Sequence, residues 1–151
     1  YDIGYLFENV KDLTTVAKTF NEYVEVESGY RGIDVKPKDV IDDIFQTSLL
    51  LGTRGLDGKG DYSALLAGIT QIKQFIFSES YHIEKAIIHS AKAAYLAVAI
   101  DKKTTVLEKY KEPLQIKDWI LEQPFNTRLS KLKKTNPEAF FYWYKIYELI
   151  K

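Results

Sequence analysis

The stretch that most constrains this chain runs from Phe77 to Ile100, FSESYHIEKAIIHSAKAAYLAVAI. It contains neither proline nor glycine and is apolar for most of its length. Its simplest solution is a central helix with other helices packed round it. Four basic or titratable side chains interrupt it at spacings of three, four and three: His82, Lys85, His89 and Lys92. At roughly 100° per residue they fall within an arc of about 80° on one helix face. That stripe has two readings, a solvated face or a track for a phosphate backbone or an acidic partner. Lys92 weighs against the first, because Ala91, Ala93 and Ala94 surround it with residues suited to close packing.

The rest of the chain keeps helical periods. Asp12 can cap a helix whose stripe is Leu13, Val16, Ala17, Phe20, Tyr23 and Val24, closed by Gly29 and Gly32. Pro37 suits a first turn, with Val40, Ile41, Ile44 and Leu51 inward. Asp39, Asp42 and Asp43 crowd its start, where macrodipole complementarity explains them more simply than a metal does. Gly52–Asp61 holds four of the eight glycines and reads as a loop, after which Asp61 caps a helix with Tyr62, Leu65, Leu66, Ile69, Ile72 and Ile76 inward. Ser78 or Ser80 is placed to cap the central helix. Beyond Asp101 the pattern weakens: a short helix is expected over Gln115–Glu122, a turn or two around Phe125–Leu132, and a last helix opened by Asn136-Pro137. Its aromatic residues, Phe140, Phe141, Trp143, Tyr144 and Tyr147, suit a core better than a base-stacking surface. No segment alternates with period two. The expected fold is all-α, a multi-helix bundle around a central helix near residues 78–100.

With 151 residues the chain suits a single helical domain, residues 1–151, with a basic, aromatic-rich tail at 101–151. Charge balances at 21 Lys/Arg against 21 Asp/Glu, but unevenly along the chain. Residues 1–100 carry 10 basic and 14 acidic side chains, net −4, while residues 101–151 carry 11 and 7, net +4. The halves either attract one another or leave the tail for an anionic partner. The chain has no cysteine, which excludes disulfides, thiolate nucleophiles and cysteine zinc sites and fits a cytoplasmic location. No apolar run is long enough to span a bilayer, so no membrane role is expected. A chain that opens at Tyr1, inside a helical pattern, reads as a fragment of something longer.

Several catalytic motifs fail on spacing. In the glycine loop, Gly52 to Gly58-Lys59 has five intervening residues where a P-loop has four, and Gly60 stands where Ser or Thr is needed. Arg54 in that loop can still reach an anion, or serve as a solvated helix-end residue. His82-Ile83-Glu84 has the His-x-Glu of zinc deaminases without their cysteines. Glu79-Ser80-Tyr81-His82 is a single Glu-x-x-His, without the second copy that a carboxylate-bridged metal pair needs, and the Arg–His spacing of one class of helical ribonucleases does not occur.

Other pieces form a pattern by their order: Asp2-Ile3-Gly4 with Leu6-Phe7; Asp43 with Thr47, then Thr53-Arg54-Gly55; Gly68-Ile69 with Ile72-Lys73 and Phe75-Ile76; Tyr81-His82 with Glu84, then Ala91-Lys92-Ala93-Ala94-Tyr95-Leu96. Together they resemble the C-terminal helical half of the abortive-infection nucleotidyltransferase toxins of the AbiEii/AbiGii type, over residues 1–100. The resemblance implies a parent protein with an N-terminal nucleotidyltransferase core that binds Mg and an NTP. That core would precede Tyr1, so no cofactor is expected in this chain. It also implies a toxin–antitoxin context, with tRNA or another RNA and an antitoxin protein as partners. Asp2 matches the first acidic position of the last core motif and is the one candidate catalytic residue; the second acidic position falls near Tyr5, a departure. Arg54, Lys73, His82 and Lys92 match positions whose charge suits nucleotide or RNA phosphate, and are expected to share one positive surface. Two functions stand: substrate binding in such a toxin, or a non-enzymatic module that binds an acidic protein such as an antitoxin.

Overall fold

Most helix boundaries follow from local chemistry. The Asp12 carboxylate accepts from the Thr14 N–H at 2.9 Å and starts α2 (Leu13–Arg31), which ends at Gly32 in the left-handed region. The Asp39 carboxylate reaches back to the Lys36 N–H at 2.9 Å, and Pro37 opens α3 (Pro37–Gly52). Asp61 accepts from the Ala64 N–H at 3.0 Å at the start of α4 (Tyr62–Ile72). Asn136 accepts from the Ala139 N–H at the head of α8 (Pro137–Ile150). The computed structural model describes residues 1–151 and completes the set with α1 (Asp2–Phe7), α5 (Ile83–Asp101), α6 (Asn126–Leu129), α7 (Leu132–Thr135) and a 3-10 turn at Pro113–Ile116. No strand is present, and the all-α bundle stands. No helix is long and apolar enough to cross a membrane.

Helix α5 is the centre, packed against α1, α3 and α8. Its alanine side is dry: Ala91, Ala94 and Ala99 are wholly buried, and small side chains let neighbouring helices approach closely. Facing it, α8 buries Phe140, Phe141, Tyr142, Trp143 and Ile146. The residues after Asp101 thus end inside the main core, with the Trp119 ring stacked on Tyr144 at 4.3 Å between centroids. Charge links the halves as well: Lys38 meets Asp101 at 2.8 Å, Lys92 meets Glu138 at 2.9 Å and Arg128 meets Asp57 at 3.7 Å.

Three local expectations need correction. The central helix begins at Ile83, with His82 as an N-cap residue that makes no side-chain cap, so neither Ser78 nor Ser80 starts it. Tyr81 explains the delay: its ring is buried edge-on against Tyr1, which requires the chain to leave the helical path, while Phe77 is left 93% exposed. Over Gln115–Glu122 there is only the end of the 3-10 turn. Lys133 donates to the carbonyls of Lys117 and Trp119 at 2.8 and 2.7 Å, satisfying a non-helical backbone there. Finally, two expected stripes are cut back: α2 buries only Leu13 and Val24 and leaves Tyr23 exposed, while α4 ends at Ile72, short of Ile76, and leaves Leu66 exposed.

Candidate functional site

The largest departure from expectation concerns the basic stripe. His82 precedes the helix, whereas His89 and Lys92 are buried within it, only 9% and 6% exposed. The cause is α1, which lies across that face. Lys92 places its ammonium 2.7 Å from Glu8 and 2.9 Å from Glu138, over the Tyr142 ring. Burial pulls its pKa down, but the two carboxylates outweigh burial and the net shift is upward, so the charge is retained and matched internally. Arg54 has a positive φ of 56° in the glycine loop and pairs with Glu84 on the first turn of α5. Lys73 caps the end of α4 and is exposed, as is His82. The four residues therefore do not present one free positive surface: buried Lys92 and exposed Arg54 are each paired with carboxylates.

Asp2 is exposed on the first turn of α1. No group of three or more His, Asp or Glu side chains is placed to hold a metal ion.

A different site is built where α1, α3, α4 and α5 meet. A cavity of about 350 Å³ opens there, with apolar walls from Ile3, Ile44, Leu51, Leu65 and Ile69. Its polar members are Asp43, Thr47, Ser48, Tyr81, His89 and Ser90, and no lysine or arginine lines it. All but Tyr81, which precedes α5, come from helix faces fixed by ordinary packing: Ser48 is buried one turn before Gly52 on α3, and His89 and Ser90 follow the buried pair Ala86 and Ile87 on α5.

The His89 ring sits in an aromatic corner, 5.7 Å from the Tyr1 ring and 5.6 Å from the Tyr81 ring. Gly4 makes that corner possible. A Cβ on Gly4 would stand 2.4 Å from the His89 ring, so any side chain there would collide with the imidazole. The His89 Nδ1 is sealed from solvent and has no hydrogen-bond partner. Burial, aided by positive charge on Lys92 and Lys85, pushes the imidazole down to about 4, so it is neutral near pH 7. Burial, with Glu79 and Tyr1 adding to it, pushes the Tyr81 hydroxyl up to about 12. Both groups are thus uncharged hydrogen-bonding groups in a low-dielectric wall.

Of this site the sequence singled out His89 only as part of a positive stripe, and Asp43 as a helix-start residue and, with Thr47, as one piece of the family pattern. Tyr1 and Ser48 carry no local signal. Gly4 does, because a glycine inside an apolar helical pattern marks a close approach by something else.

The protein is an all-α helical bundle with a cavity beside its central helix in which Asp43 is the one charged side chain. No protein-family model matches the chain, and neither a curated protein nor a solved structure matches it.

Proposed function

We propose that the chain is the helical domain of a nucleotidyltransferase-like toxin of a toxin–antitoxin pair, acting in the cytoplasm and contributing part of the substrate site for an NTP or an RNA such as tRNA. One observation supports this reading above the others. The segments that carry the resemblance lie far apart in sequence, yet Ile3, Gly4, Asp43, Thr47, Ile69, Tyr81 and Ala93 all line the same cavity. Residues that only maintained a fold have no reason to converge on a hollow. In this reading the metal-dependent transfer belongs to a separate core with its own carboxylates and Mg, and this domain holds substrate against it. Asp2 lacks the neighbouring acids that such chemistry uses.

The test is transfer of label from each of the four NTPs, with Mg, to total tRNA. The protein containing both the core and this domain should label RNA, and residues 1–151 alone should not. Label transfer by residues 1–151 alone, or none by the whole protein with any NTP, overturns the reading.

A second reading, a non-enzymatic module for an acidic protein such as an antitoxin, has one feature in its favour. Helix α2 leaves Tyr23, Val26 and Tyr30 exposed along its outer side, with Ile33 just beyond it. Stable association with such a protein, without RNA labelling, is the outcome that selects it.

A further inference from the structure

We propose that the cavity between α1, α3, α4 and α5 is a binding site for the flat, uncharged ring of an amino-bearing nucleobase. Among flat heteroaromatic rings, the choice of a nucleobase rests on the function proposed above; the rest follows from the walls.

The volume comes first. About 350 Å³ lies within the range of small-molecule sites, roughly 300–1,000 Å³. The charge comes second. With no lysine or arginine in the lining and Asp43 as its one charged side chain, the cavity repels phosphate and carboxylate. His89 does not offset this, because it is neutral. The ligand group that enters is therefore uncharged, and any phosphates attached to it stay outside.

Shape and hydrogen bonding narrow the class further. Tyr1, Tyr81 and His89 supply ring faces at one end of the cavity, and stacking on aromatic side chains is how unstacked bases are held. The buried His89 has a ring nitrogen, Nδ1, without a partner. Unpaired buried polar groups are costly, and a ligand with its own donors and acceptors supplies what the protein does not. Asp43, an acceptor only, adds a preference for a ligand edge that donates, as the exocyclic amino groups of adenine, cytosine and guanine do and uracil does not. The base of a free nucleotide and an unstacked base in an RNA strand share this chemistry.

The experiment is NMR titration of residues 1–151 with adenosine, cytidine, guanosine and uridine, with tripolyphosphate as the anion control and a short single-stranded RNA as the second source of bases. At least one amino-bearing nucleoside should bind, shift the ring nitrogens of His89 and bind at least tenfold more tightly than uridine. Tripolyphosphate should leave the cavity residues unmoved. Nucleoside affinity should be flat between low and moderate salt, because no phosphate contact releases counterions. His89→Leu should weaken nucleoside binding at least tenfold while the melting temperature holds or rises. If that variant does not fold, Asp43→Asn at an exposed position replaces it and should reduce the preference over uridine at least threefold. Single-stranded RNA that binds there when nucleosides also bind assigns the site to an RNA base; nucleosides alone assign it to a free nucleotide.

Absence of nucleoside binding at millimolar concentration to the folded chain overturns the proposal. So does binding that survives Ile69→Trp, which fills the cavity. The two proposals fail separately. Nucleoside binding by a protein that transfers no nucleotide to RNA leaves the site and removes the toxin reading; transfer by a protein whose cavity binds no nucleoside does the reverse.

Discussion

Helix α5 has two long sides, and they are finished in opposite ways. Toward α8 it presents Ala91, Ala94 and Tyr95, against which Phe140, Phe141, Tyr142 and Trp143 close without leaving room. Toward α1, α3 and α4 it presents Ala86, His89, Ser90 and Ala93, and there the neighbours stand off round a cavity of about 350 Å³. The sealed side pairs its charges: Lys92 and Lys145 each meet two carboxylates and lie over aromatic rings, and the Trp143 Nε1 is its one buried side-chain polar atom without a partner. The open side leaves an imidazole nitrogen without a partner. Close packing is where a domain gains stability, so the two sides differ in how much of that gain they take. One helix thus carries a filled interface on one side and an open cavity on the other.

Breaking the sealed side should have the largest effect. Ala94 is wholly buried, and Ala94→Asp sets a carboxylate among aromatic rings with nothing to pair it. A loss of about 4 kcal/mol or more is expected, read as the absence of a cooperative transition in urea. Lys92→Glu comes next. It confronts Glu8 and Glu138 with a third carboxylate where they held an ammonium at 2.7 and 2.9 Å. Because both partners are half exposed and can turn to water, the loss should be about 3 kcal/mol, and it should lower the melting temperature before any effect on ligand is measurable. Lys92 is thus a structural residue first, whatever it contributes to binding.

The open side predicts a pH signature. His89 ionises near 4 in the fold against an ordinary value of 6.5, so between these limits the unfolded chain takes up a proton that the native state refuses. Stability is therefore constant above 6.5 and falls as pH drops toward 4, by about 2–3 kcal/mol in total. The groups that set this are its burial, Lys92 and Lys85 on one sign and Glu79 on the other, with Tyr81 and Asp43 also at the cavity. Urea unfolding at pH 7, 5.5 and 4.5 measures it against the background of the other carboxylates, and His89→Leu should remove this share. At pH 7 the same variant should raise stability by about 1 kcal/mol, since it deletes an unpartnered buried polar group and keeps most of the volume. A destabilised His89→Leu would mean that the imidazole is satisfied after all.

These contrasts also show what a sequence makes legible. Asp12, Pro37, Asp61 and Asn136-Pro137 act within a few residues of themselves, and each starts its helix where the chain alone indicated. The start of α5 is different: it depends on Tyr81 finding Tyr1 and His89, a tertiary contact stronger than the propensity of the residues before it. The site is less legible still. Helical spacing correctly put His89 and Lys92 near one another, but it could not say that α1 covers them, because Gly4 and Glu8 lie more than eighty residues earlier. A stripe that reads as a positive face in one helix becomes a buried ion pair and a neutral ring once that helix has neighbours.

The smallest expected effect sharpens the comparison from outside both sides. Arg54 and Glu84 tie the loop after α3 to the first turn of α5, in a pair whose side chains are 48% and 39% exposed. Water screens such a pair, and holding two flexible side chains together costs entropy, so its net worth is about 0.2–1 kcal/mol. Glu84 is not left stranded when the guanidinium is removed, because the Asn136 amide donates to its carbonyl at 3.0 Å and lies 3.4 Å from its carboxylate. The loop also has its own anchors. The Thr53 hydroxyl accepts from the Asp57 N–H at 2.9 Å, and Gly58 takes a φ of 99° with its Cα close against the Gln46 carbonyl, where a side chain could not fit. Arg54→Ala should therefore lower stability by less than about 1 kcal/mol, and the loss should shrink in 1 M salt, where screening already weakens the pair. Urea unfolding at two salt concentrations reads both terms. A loss like that of Lys92→Glu, unchanged by salt, would mean that the loop and α5 are joined as tightly as the sealed side, and that the two kinds of cation differ less than their burial implies.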